Sequence, residues 1–82
     1  MTLRITQSRG DPGTVLGIHG EVSGGEVREL QAVCATALRP LTIDLSEVIT
    51  ADAQGIDLLR SLAAEGARMV RASVYLEMRL LS

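Results

Sequence analysis

The sequence predicts an α/β domain, a mixed β-sheet of about four strands with helices packed on one face. Three observations carry that expectation. Short β-compatible runs alternate with segments whose apolar residues recur at helical spacing. Breaker clusters stand between them at Gly10-Asp11-Pro12-Gly13, Ser23-Gly24-Gly25, Pro40 and Gly66. Two strands separated by one helix imply a β-α-β crossover and parallel pairing, whereas two strands joined by a short reversal imply an antiparallel pair.

From Thr2 to Gln7, Leu3 and Ile5 alternate with Arg4 and Thr6, the pattern of a half-buried strand. Pro12 pre-sets a turn dihedral between two glycines, so the chain reverses and Thr14 to Val22 pairs with the first strand. Ser23 is the candidate cap of a first helix over Glu26 to Leu38, whose apolar positions are Val27, Leu30, Cys34 and Leu38. Pro40 stops that helix. Leu41 to Leu45 alternates again as a buried strand, and Ser46, Glu47, Thr50 and Asp52 gather in an acidic loop. Gly55 then opens a second helix with Ile56, Leu59, Leu62 and Ala63 on one face. Gly66 is its stop, and Ala67 to Ala72 is a short strand containing Met69 and Val70. Ser73 caps a last helix with two apolar stripes, Leu76 with Leu80 and Val74 with Met78 and Leu81. The second stripe is the candidate surface for a homodimer.

Composition narrows the function classes. The 82 residues form one domain with no linker, repeat or low-complexity segment, and 46% hydrophobic residues suffice for a core. A domain of this size buries about 60–65% of its unfolded surface and has roughly 4–12 kcal/mol of stability. Tyr75 is the single aromatic residue, too few for a base-stacking platform, and the net charge of −2 steers toward neither nucleic acid nor acidic membranes. All eight cationic residues are Arg, which excludes a lysine nucleophile and a P-loop. One cysteine, Cys34, fits a reducing compartment, and no apolar run approaches the roughly 20 residues that cross a bilayer. A soluble cytoplasmic protein with no membrane insertion and no nucleic-acid partner is expected.

The stretch Asp44-Leu45, Val48, Asp52-Ala53-Gln54-Gly55 and Ile56 to Leu62 resembles the signature of the STAS family, the fold of bacterial anti-sigma-factor antagonists. The family pattern is a strand ending in Asp-Leu, a spacer with Val, then Asp-Ser-Ser-Gly or Asp-Ser-Thr-Gly and a Leu-rich helix. The likeness extends to Val15-Leu16-Gly17-Ile18-His19-Gly20-Glu21-Val22, to the first helix, and to Gly66-Ala67-Arg68-Met69-Val70. It implies a STAS-like domain over residues 1–82, short at its C-terminus, that binds a protein and catalyses nothing. The implied partner is an anti-sigma kinase or, for a transport-associated accessory subunit, a transporter ATPase. In phosphorylatable members the residue after the loop Asp is the serine that the kinase modifies. Here that position is Ala53, which has no hydroxyl and so cannot gain the roughly −1.5 to −2 charge that switches partner binding. By the same resemblance the partner-binding residues are Asp52, Ala53, Gln54, Asp57, Leu58 and Ser61.

The residues themselves argue against chemistry at this loop. Asp44, Glu47 and Asp52 are the chain's candidate set for a hard cation, but a receiver-type site wants a second acidic strand end and a lysine, and neither is present. Asp52 reads as a cap for the second helix, and Ser46 and Thr50 as local turn hydrogen bonders. His19 has no second histidine or cysteine at metal spacing, Cys34 sits on a core stripe, and Gly17, Gly20, Gly24 and Gly25 lack phosphate-loop spacing. No enzyme, metal or cofactor is expected.

Overall fold

The structure is a computed structural model that describes residues 3–81. Thr2, which the alternation includes in the first strand, lies outside the described residues. The elements run β1 (Leu3–Arg9), β2 (Thr14–Val22), α1 (Gly24–Thr36), β3 (Leu41–Ala51), α2 (Ala53–Ala64), β4 (Arg68–Val70) and α3 (Val74–Leu81). The four strands form one mixed sheet in the order β1-β2-β3-β4. β1 is antiparallel to β2, and β2-β3 and β3-β4 are parallel, as the connections require.

The inward side chains of the sheet make one apolar cluster with the buried residues of all three helices. Leu16, Ile18, Leu41, Ile43 and Leu45 meet Leu30 and Cys34 of α1, Ile56, Leu59 and Leu62 of α2, and Leu76 of α3. The helices therefore share one face of the sheet. Leu3 and Ile5 pair with Gly20 and Ile18 and pack against the same cluster. The opposite face carries Arg4, Thr6, His19, Thr42 and Asp44, all exposed or half-buried.

β3 differs from its expected form. The acidic loop after Leu45 is strand as far as Ala51. Its buried residues are Leu41, Ile43, Leu45, Val48 and Ala51, so the spacing lengthens from two to three after Leu45. The register explains this. Gly17 pairs with Asp44 but His19 with Glu47, and Gly20 with Val48 but Glu21 with Thr50, so β3 carries one extra residue at each step. Two bulges thus return Val48 and Ala51 to the core side while leaving Ser46, Glu47 and Ile49 exposed. Strict alternation from Leu45 would have sent Val48 to the open face, which is why the segment looks like a loop in sequence.

Helix ends follow local chemistry. α1 stops at Thr36, two residues before its expected end, where Ala37 turns to extended backbone. Ala37 fills the core position instead, and Leu38 is 76% exposed. α2 begins at Ala53, so Gly55 is its third residue. Its buried stripe is Gly55, Leu58, Leu59 and Leu62 with Ile56, whereas Ala63 is exposed. It ends on Gly66 at φ 107°, where the Gly66 N–H donates to the Ala63 carbonyl at 3.0 Å and the Ala67 N–H to the Leu62 carbonyl at 3.0 Å. α3 is capped by Ser73, whose hydroxyl accepts the Leu76 N–H at 3.1 Å. Its Leu76 stripe enters the core, and Val74, Met78 and Leu81 remain exposed. No helix among the described residues is long and apolar enough to cross a membrane.

Candidate functional site

The β3–α2 junction is built by Asp52. As the residue before the helix it has extended backbone (φ −85°, ψ −177°), which turns its side chain back over the first turn. Oδ1 accepts the Gly55 N–H at 2.8 Å, the expected cap. Oδ2 accepts a second donor at 2.9 Å, the N–H of Gly24 at the start of α1. Its own N–H donates to the Val22 carbonyl at 3.1 Å. The amides of Gly55 and Gly24 hold the Asp52 carboxyl below its ordinary pKa, with smaller contributions from the Gln54 N–H and the Arg79 guanidinium.

That second bond corrects the expectation for Ser23. Ser23 occupies the N-cap position of α1 but makes no side-chain cap, because its hydroxyl donates to the Glu26 carboxylate. The carboxylate of a residue 28 positions downstream does the work instead. The Gly24 side of this bond depends on close approach, since a Cβ on Gly24 would overlap the Gln54 Oε1 atom. At Gly55 a Cβ would run into the Val22 carbonyl oxygen. The two glycines let the ends of β2 and β3 and the starts of α1 and α2 meet at one point.

Around this point the structure exposes Asp52, Ala53, Gln54, Asp57 and Ser61. Leu58, which the resemblance implies as a partner contact, is only 6% exposed and packs within the core cluster. A charge introduced at Leu58 therefore tests folding as much as binding. Between α1 and α2 lies an open cleft of about 400 Å³. Its α1 wall is Val27, Arg28 and Gln31, and its α2 wall is Gln54, Asp57, Leu58 and Ser61. The α1 wall has no signature of its own in the sequence. The one hint is the Ser23-Gly24-Gly25 break, which marks the point where α1 comes close to another element.

Two further networks frame the junction. Arg79 of α3 donates to the Ala51 carbonyl at 3.2 Å and to the Tyr75 hydroxyl at 2.7 Å, with its guanidinium 5.6 Å from the Tyr75 ring centre. Hydrogen bonds from Thr50 and Arg79 hold the Tyr75 phenol below its ordinary pKa. On the open sheet face, Asp44 Oδ1 accepts the Ser46 N–H at 2.9 Å, and Arg71 lies 3.9 Å from Oδ2. The Ser46 amide is the main cause that lowers the Asp44 pKa, followed by the Ser46 hydroxyl, Arg71 and His19.

The structure separates the acidic residues. Asp44 and Glu47 border a small pocket of about 160 Å³ on the open face with Thr6, Gly17 and His19, whereas Asp52 faces the helices. Among the described residues, no group of three or more His, Cys, Asp or Glu side chains is placed to hold a metal ion. His19 Nε2 lies 3.4 Å from Thr6 Oγ1. Cys34 is buried, and that burial pushes its thiol pKa up. The surface around Ala53 thus offers hydrogen-bonding groups of both polarities over an apolar floor, with the nearest carboxylate already engaged by two amides. Comparison of the chain with models of known protein families and with curated proteins found no match.

Proposed function

We propose that this chain is a non-catalytic, STAS-like protein-binding module of the cytoplasm, an anti-sigma-factor antagonist or related bacterial signalling regulator. It docks its partner on the surface of Asp52, Ala53, Gln54, Asp57 and Ser61. The observation that carries this reading is the β3–α2 junction. Asp52 pre-organises the first turn of α2, and the turn presents Ala53 and Gln54 to solvent beside a cleft. A rigid, exposed turn with mixed polar groups suits recognition of another protein.

Ala53 gives the reading its particular form. The position carries a methyl group, so a kinase has no oxygen to modify there, and Gln54 supplies an amide that accepts no phosphate. The module stays in its binding form. Immobilised protein exposed to a lysate of its source organism, followed by identification of the bound protein, tests this. A kinase-type ATPase that is released by Gln54→Arg supports the reading. A transporter ATPase released by the same change assigns the module to a transport complex, and capture that is unaffected by Gln54→Arg and Asp57→Arg contradicts the site. Incubation with the captured kinase and ATP should leave residues 46–54 free of phosphate.

A further inference from the structure

We infer that Asp52 is a positioning residue that locks α1 to α2, so that the surface around Gln54 is set by both helices. Its two carboxylate oxygens are each spent on a different helix, Oδ1 on the Gly55 N–H at 2.8 Å and Oδ2 on the Gly24 N–H at 2.9 Å. Each of those N–H groups lies in the first turn of its helix, where no intrahelical acceptor exists. Nothing else on α1 does this job, because the Ser23 hydroxyl is engaged with Glu26. Removing one carboxylate therefore frees donors on two elements at once.

Gly24 completes the lock. A Cβ there would displace the Gln54 side chain, whereas a Cβ on Gly25 would meet nothing within 4 Å. The contact at residue 24 is with the end of the exposed Gln54 side chain, which a Cβ would push aside. A substitution on α1 is thus felt at the Gln54 side chain, on the first turn of α2. The groups that face the carboxylate are the Gly24, Gln54 and Gly55 amides and, from α3, the Arg79 guanidinium. The consequence for docking rests on the function proposed above, but the lock itself is a property of the isolated protein.

The test follows the Gly24 and Gly55 amides by NMR through an acid titration of the isotope-labelled protein. Both resonances should move along one curve with a shared midpoint below the ordinary Asp value of about 3.9. Asp52→Asn, which keeps one acceptor oxygen, should abolish that curve at both amides and speed hydrogen exchange at one of them, and Asp52→Ala, which keeps none, should speed it at both by about tenfold. Gly24→Ala should shift the Gln54 side-chain amide while Ile43 and Leu45 stay in place. Response at Gly55 alone, or a Gln54 amide unmoved by Gly24→Ala, overturns the lock. If neither Asp52 variant folds, the wild-type titration and Gly24→Ala still decide. A shared titration with no captured partner upholds the lock and fails the docking function; capture with response at Gly55 alone does the reverse.

Discussion

At the scale of single residues, a few side chains carry both the fold and the site. Asp52 was legible in the sequence as a cap because it precedes a helical apolar pattern, but its bond to Gly24 was not, since no local rule relates residues 28 apart. Leu58 shows the converse. The resemblance implies it as a partner contact, yet packing against its neighbours buries it. The carboxylates also set how stability depends on acidity. Asp44 and Asp52 both have folded pKa values lowered, chiefly by backbone N–H donors, from an ordinary value near 3.9. Their stabilisation is fully present above the unfolded value and is lost as pH falls through the lowered folded values. The urea midpoint should therefore decline below about pH 5, with a smaller decline in Asp44→Asn/Asp52→Asn. Equal declines in the two proteins would show that these amides do not stabilise the charged forms.

At the scale of elements, the sequence pattern predicts all seven elements in order, with α1 displaced by two residues at its end, and fails in the second half of β3. Leu41 to Leu45 alternates because β2 pairs with it residue for residue, but from Ser46 onward β3 contains two residues that β2 does not match. A bulge has no fixed sequence signature, and a polar run containing Ser46 and Glu47 looks the same in a loop as on an open sheet face. The bulges matter for the site because they carry the strand to Ala51 and deliver Asp52 to the ends of both helices. The glycines of the two helices give a paired test of this geometry. Gly25→Ala enters open space and should raise stability by about 0.5–1 kcal/mol through helix propensity. Gly55→Ala would press on the Val22 carbonyl and should lower stability by about 1–3 kcal/mol. Urea unfolding of both variants checks the pair, and a stabilised Gly55→Ala protein would mean that β2 and α2 are not in close contact.

At the scale of the whole molecule, one apolar cluster holds three helices to one side of the sheet, and the site forms where two of them begin. The fold class was legible because strand and helix patterns alternate and breakers separate them. The cleft was not, because its α1 wall of Val27, Arg28 and Gln31 is an ordinary helix surface until Asp52 fixes its place. On the proposed function, the exposed first turn of α2 binds a protein partner in a form that no kinase can switch at Ala53. The most direct measurement is the affinity of the captured partner for the wild-type protein, for Ala53→Asp and for Arg4→Glu on the open sheet face. An acidic residue at the start of α2 is favourable to the helix by about 0.3–1 kcal/mol, so Ala53→Asp should remain folded. Ala53→Asp should weaken binding at least about tenfold, equivalent to about 1.4 kcal/mol, while Arg4→Glu leaves it unchanged. Undiminished binding by Ala53→Asp would show that the partner does not dock on this turn, and a loss confined to Arg4→Glu would place it on the open face of the sheet.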